Sequence, residues 1–114
     1  MSARASTLVL LAALSLAGTQ ASVGADDPPD AAPSPELASQ GKSLYRQFCQ
    51  NCHGVNMVNP GTSSFDLRKF PHDDEPRFIN SVTHGKNTMP AWGDILQPDE
   101  IEALWAFVRT GGKT

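Results

Sequence analysis

"FCQNCHGVN", residues 48–56, holds the only two cysteines of a 114-residue chain, at positions 49 and 52, with a histidine directly after the second. Four chemistries compete for this stretch: a disulfide, a zinc site, a thiol–disulfide exchanger and the attachment of a haem. Structural zinc takes about four ligands, and the remaining histidines, His72 and His84, are single residues 12 apart with no further cysteine to join them. An exchanger places Cys-x-x-Cys where a strand meets a helix, and no segment of this chain alternates like a half-buried strand. A disulfide between residues three apart closes too small a loop to stabilise a fold by much. Two thiols one helical turn apart can each bond a vinyl group on one edge of a porphyrin, which leaves the adjacent imidazole aimed at the iron. Taken alone, the stretch favours haem and leaves the other three readings open.

Outward towards the N-terminus, Arg4 precedes an uncharged run from Leu8 to Ala17, and small residues follow at 21–25. This pattern predicts a secretory signal peptide over residues 1–25. The run is shorter than the roughly 20 residues that a membrane-spanning helix needs, so it implies export without a membrane anchor in the mature chain. Residues 26–35, "DDPPDAAPSP", combine four prolines with three aspartates and read as an extended tether. The folded domain is then residues 36–114. From Asp26 onward, the nine Lys and Arg less Arg4 leave eight against twelve Asp and Glu, a charge of about −4. That balance argues against nucleic acid, whose phosphates call for a basic face. A domain of about 79 residues is small enough that a peptide core alone is marginal, and a cofactor that fills the core answers the deficit.

Helical signals dominate the domain. Ser34 can cap, Pro35 suits a first helical position, and Leu37, Leu44, Tyr45 and Phe48 form an apolar stripe that leads into Cys49. Gly41 lies on the same stripe against propensity, which makes sense where another helix crosses closely. Residues 54–71 carry loop chemistry without sustained periodicity. A second helix is predicted from about Asp74 to Thr83, with acids in its first turn and Gly85 just beyond it. Pro98 opens a last helix with Ile101, Leu104, Trp105 and Val108 on one face, although Gln97 is a weaker cap than serine or threonine. The fold class is all-α, three to four short helices with long loops.

The chain from Glu36 to Gly112 resembles the class I c-type cytochromes. "GKSLYRQFCQNCHG" matches the opening helix of that family, and "NTMPAWGDILQPDEIEALWAFV" matches its second half, where Met-Pro precedes the terminal helix. The resemblance implies one covalent haem c wrapped by the helices, with Cys49 and Cys52 as thioether anchors, His53 as the proximal iron ligand and Met89 as the distal one. It further implies that Gly41 and Tyr45 meet Leu104 and Phe107 where the first and last helices cross. It assigns the carbonyl of Pro60 as acceptor for the free ring nitrogen of His53, and Trp92 as a neighbour of the haem. Other readings remain for the second ligand. Met89 can serve as plain core packing, His84 can ligate in its place, and Met57, four residues after His53, is badly placed to do so. His72 reads as a solvated loop residue.

Ligation by His and Met closes the iron and implies an electron carrier instead of an enzyme. No Ser/His/Asp set, carboxylate pair or phosphate-binding loop suggests a second chemistry, so no catalytic residue is assigned. The rival readings are an enzyme or ligand sensor with an open distal site, and a fixed electron-transfer subunit of a larger respiratory or photosynthetic complex. "FDLRKFP", followed by the Met-Pro segment, is most similar to small cytochromes that accompany periplasmic quinoprotein alcohol dehydrogenases. This implies a monomer in the periplasm with a dehydrogenase as donor and a cytochrome, oxidase or reaction centre as acceptor. Asp73, Asp74 and Glu75 are either part of an acidic docking face or acids that favour a helix start.

Overall fold

The computed structural model describes residues 31–113, together with Gly18. The expected signal peptide therefore lies outside the described residues except for Gly18, and the tether is described only from Ala31. Among the described residues four α-helices form: α1, Pro35–Phe48; α2, Gln50–His53; α3, Glu75–His84; and α4, Pro98–Arg109. Among the described residues the only extended pairing is an isolated bridge between Lys86 and Met89. The all-α expectation holds.

The three longer helices begin where a side chain supplies an acceptor for an otherwise unpaired backbone N–H. The Ser34 hydroxyl accepts from the Leu37 N–H at 3.4 Å ahead of α1, and the Asp74 carboxylate accepts from the Arg77 N–H at 3.3 Å ahead of α3. At α4 the weak cap is offset from inside the helix, because the Gln97 N–H donates to the Glu100 carboxylate at 2.8 Å. Asp74 is thus committed to the start of α3, as the helix-start reading of the three acids expects. Gly54 and Gly85, with φ of 90° and 76°, end α2 and α3 in a region that few side chains adopt.

Helix α4 is the centre of the domain. Ile101 and every residue from Ala103 to Val108 are buried, so this helix is covered almost all round. α1 crosses it at Gly41, whose backbone lies against the carbonyl of Ala103. A Cβ at Gly41 would also stand 3.0 Å from that of Phe107. One turn on, Tyr45 packs its ring on Phe107 at 5.1 Å between centroids. The partners of Gly41 at the crossing are therefore Ala103 and Phe107, one position from the expected Leu104. α3 reaches α4 through Phe78 and Trp105, 5.1 Å apart, and Phe70 fills the corner at 5.8 Å from each. Burying each such large apolar side chain stabilises the fold by about 1.5–3 kcal/mol.

The segment between α2 and α3 is irregular, as its composition predicts, but it is not slack. It makes two single 3-10 turns, Val55–Met57 and Leu67–Lys69. The Asn59 side chain accepts from the N–H groups of Gly61 and Thr62 at 2.8 and 3.0 Å and donates to the Ser64 carbonyl at 2.7 Å, which ties the loop to itself. Met57 is fully buried in the core cluster. It is a packing residue.

Candidate functional site

The four helices enclose a cavity of about 410 Å³ open to one side. Cys49, Cys52 and His53 line it from the junction of α1 and α2, and Met89 and Trp92 line it from the loop between α3 and α4. Much of the remaining wall is apolar, with Phe48, Phe70, Phe78, Leu104 and Val108 among its residues. Neither Met57 nor His72 nor His84 borders it. Of the side chains weighed as a second ligand, Met89 alone shares the cavity with His53.

Helix geometry sets the thiols. Cys49 closes α1, giving its N–H to the Tyr45 carbonyl at 2.9 Å, and its own carbonyl accepts from the His53 N–H at 2.9 Å to start α2. Cys49 and Cys52 are thus one turn apart at the cavity wall, and His53 follows without an intervening residue. Both cysteines are free thiols. Burial, with a smaller contribution from Cys52, pushes the Cys49 thiol up to about 12. Thiol exchange needs a thiolate and hence a lowered pKa, so this environment opposes the exchanger reading. Among the described residues no group of three or more His, Cys, Asp or Glu side chains is placed to hold a metal ion.

A backbone carbonyl orients the His53 ring. Its Nδ1 lies 2.9 Å from the carbonyl oxygen of Phe65, so with Nδ1 protonated the ring donates there and leaves the Nε2 lone pair free for a metal. The acceptor expected from the family pattern, the carbonyl of Pro60, is not used, and Pro60 does not border the cavity. The physical reason is the path of the loop. The 3-10 turn at Val55–Met57 and the Asn59-centred turn spend the first residues after Gly54 on bending back. The Pro60 ring then lies beside Gly54, with Cδ 3.1 Å from where a Cβ would stand. The chain faces the imidazole only at Phe65, 12 residues after it. Periodicity does not reveal this acceptor, because the segment has none. Counting the residues needed to round the loop is the signal that would have found it.

Met89 is fixed through its backbone. Its N–H and C=O exchange hydrogen bonds with Lys86 at 3.0 and 3.2 Å across a tight turn, in which Asn87 adopts φ of 54°. Just beyond, the N–H groups of Trp92 and Gly93 donate to the Val82 and Thr83 carbonyls of α3 at 2.8 and 3.1 Å. Gly85 permits this return, since a Cβ there would meet the Met89 carbonyl oxygen at 2.7 Å. The loop that carries the thioether is thereby closed on itself before Met89 and tied to the end of α3 after it. Trp92 also packs on Phe48 at 5.5 Å, next to Cys49.

Two thiols, one imidazole with a free Nε2 and one thioether thus converge on a single apolar cavity. That donor set fits a porphyrin bound through its edge and its iron, and it fits poorly with a hydrolytic or transfer chemistry. The ionisable groups on the wall add a further point. Besides the cysteines, His53 and Tyr45, only Arg77 and Lys86 line it, and none of Asp73, Asp74 and Glu75 does. Whatever those acids steer, they do not border the cavity.

Comparison with known proteins agrees with the donor set. Residues 36–108 match the family described as cytochrome c oxidase, cbb3-type, subunit III. Cytochrome c6 of Gloeothece citriformis is 36% identical over 75 residues, which cover 62% of this chain and 68% of that one. The quinohemoprotein alcohol dehydrogenase ADH IIB of Pseudomonas putida is 35% identical over 78 residues, 66% of this chain but 11% of that protein. The cbb3-type cytochrome c oxidase subunit FixP of Azorhizobium caulinodans is 29% identical over 82 residues, covering 66% and 27%. The chain therefore spans most of a cytochrome c6 and only a small part of the dehydrogenase and of the oxidase subunit.

Proposed function

The chain belongs to the class I c-type cytochromes, electron-transfer proteins whose cofactor is covalent haem c, and from this premise we propose that it is a periplasmic single-haem electron carrier. The observation that carries the proposal is the meeting of Cys49, Cys52, His53 and Met89 on one cavity. Cys49 and Cys52 would hold the group through two thioethers, His53 would offer its iron an imidazole nitrogen, Met89 would offer a thioether sulfur and Trp92 would pack beside it. Bound in this way, the group supplies a one-electron Fe(III)/Fe(II) couple whose potential the thioether ligand raises. The chain's own part is to orient and to exclude. The Phe65 carbonyl fixes the imidazole, the Lys86–Met89 turn fixes the backbone that carries the thioether, and Phe48, Phe70 and Phe78 give the cavity an apolar lining.

Residues 1–25 direct export and residues 26–35 tether the domain. The donor is a periplasmic dehydrogenase of the quinoprotein type, a reading supported by the likeness to ADH IIB. The acceptor is a downstream cytochrome, an oxidase or a reaction centre. Among the described residues no helix is long and apolar enough to cross a membrane. The likeness to FixP and to the oxidase-subunit family favours a second reading, in which the domain is a fixed subunit of a larger complex. Gel filtration of a periplasmic extract separates the two, since a free carrier elutes as a monomer. For the site itself, a sulfur-to-iron charge-transfer band at the red end of the ferric spectrum is expected, and its loss in Met89→Ala. A high-spin ferric spectrum in the unmodified protein would overturn the closed site and with it the carrier.

A further inference from the structure

On a chain whose acids outnumber its bases, the cavity wall carries two side-chain cations, Arg77 and Lys86, and no carboxylate among the described residues. Arg77 is held in a particular way. Its guanidinium carbon sits 4.9 Å from the centroid of the Phe70 ring and 6.0 Å from that of Phe65, within the range of cation–π attraction. Its backbone N–H is taken by Asp74, but among the described residues its side chain makes no hydrogen bond and no ion pair. A guanidinium has five N–H donors in a rigid planar fork matched to a carboxylate. Here that fork is held at a cavity wall by aromatic faces, which position it without using any donor.

Arg77, Phe65, Phe70 and Phe78 border the same cavity as the two cysteines. A porphyrin that takes thioethers through its vinyl groups carries its two propionates on another edge. With the vinyl edge at Cys49 and Cys52, the carboxylate edge shares a cavity whose side-chain cations are Arg77 and Lys86. We propose that Arg77 is a positioning residue for the haem, pairing its guanidinium with a propionate carboxylate. The inference rests on the haem site proposed above. Paired this way, the guanidinium offsets the propionate's negative charge near the iron, which favours the ferrous state, and it holds the ring against rotation about the thioether edge.

The test uses the holoprotein, with Arg77→Gln to remove the charge and Arg77→Lys to keep it. Mass spectrometry first establishes that each variant carries one covalent haem. Absence of haem in the unmodified chain overturns the site, whereas haem retained in the variants isolates the question of Arg77. The expected result is a lower midpoint potential and shifted propionate bending bands in the resonance Raman spectrum of Arg77→Gln, with both returning towards the unmodified values in Arg77→Lys. Circular dichroism checks that α3 is intact, because a merely structural loss would disturb it in both variants. Propionate bands in Arg77→Gln that match those of the unmodified protein overturn the proposal, including where that variant reacts more slowly with a redox partner. In that outcome the guanidinium faces the partner.

Discussion

Tyr45 is the single tyrosine of the chain, and its buried hydroxyl donates to the carbonyl of Gly54 at 2.6 Å. The bond ties α1 to the residue that ends the haem-binding turn, so it braces the turn from behind. In Tyr45→Phe the Gly54 carbonyl stays buried without this partner, at a cost of about 1–3 kcal/mol. For a domain of this size that lowers the melting temperature by roughly 4–8 °C per kcal/mol, measurable by circular dichroism. An unchanged melting temperature would mean that water replaces the phenol. Burial pushes the phenol from 10 up to about 12, so the fold favours the neutral form. The sign follows from linkage. This contribution is complete below pH 10 and is lost as pH rises from 10 through about 12. Alkaline difference absorbance of the one tyrosine measures it directly, and a midpoint near 10 would show that the phenol is wet.

At the scale of elements, the crossing of α1 and α4 depends on one missing methyl group. Gly41→Ala recovers about 1 kcal/mol of helix propensity, but the new Cβ meets the Ala103 carbonyl, a backbone atom that cannot turn aside. Overpacking of this kind costs typically 1–3 kcal/mol, and the rigid obstacle puts it at the upper end, so the expected net loss is about 2 kcal/mol. Urea unfolding of the holoprotein checks it, and a midpoint at or above that of the unmodified protein would place the helices further apart. Gly41 also shows why the helices were legible from sequence. An out-of-place glycine on an apolar stripe announces a crossing, as Ser34 and Asp74 announce starts and Gly85 an end. These are local signals, each decided within about four residues. The acceptor of His53 was not legible in this way, because it depends on how a loop without period folds onto itself through the Asn59 side chain. The place of Arg77 on the cavity is not legible for a related reason. On α3 it reads as an ordinary exposed cation, and only the meeting of that helix with Phe65 and Phe70 turns it towards the cavity. Met89 was named from the family pattern, while its anchoring to Lys86 and to the end of α3 needed coordinates.

The molecule as a whole is a wall of side chains around a space that the peptide does not fill. Phe78, Leu104 and Val108 are buried core residues, yet each also borders the cavity. An unfilled apolar cavity costs about 24 cal/mol per Å³, so the 410 Å³ here would cost on the order of 10 kcal/mol. Because one side is open to solvent, that figure is an upper bound. A domain of about 80 residues has only about 4–12 kcal/mol of stability in all. The filled and unfilled molecules can therefore differ by an amount comparable to the folding free energy, which makes the covalent group a contributor to folding as well as the redox centre. The prediction is that a chain carrying both Cys49→Ser and Cys52→Ser, purified without haem, shows no cooperative thermal transition and a weak helical signal, while the haem-bearing chain melts sharply. The single variants separate tethering from filling. With one thioether left, haem still occupies the cavity, so Cys52→Ser at the exposed position should keep the transition at a lower temperature. A haem-free double variant that melts cooperatively near the temperature of the holoprotein would show that the walls collapse onto one another. In that case Phe70, Phe78 and Trp105 would form a sufficient core by themselves.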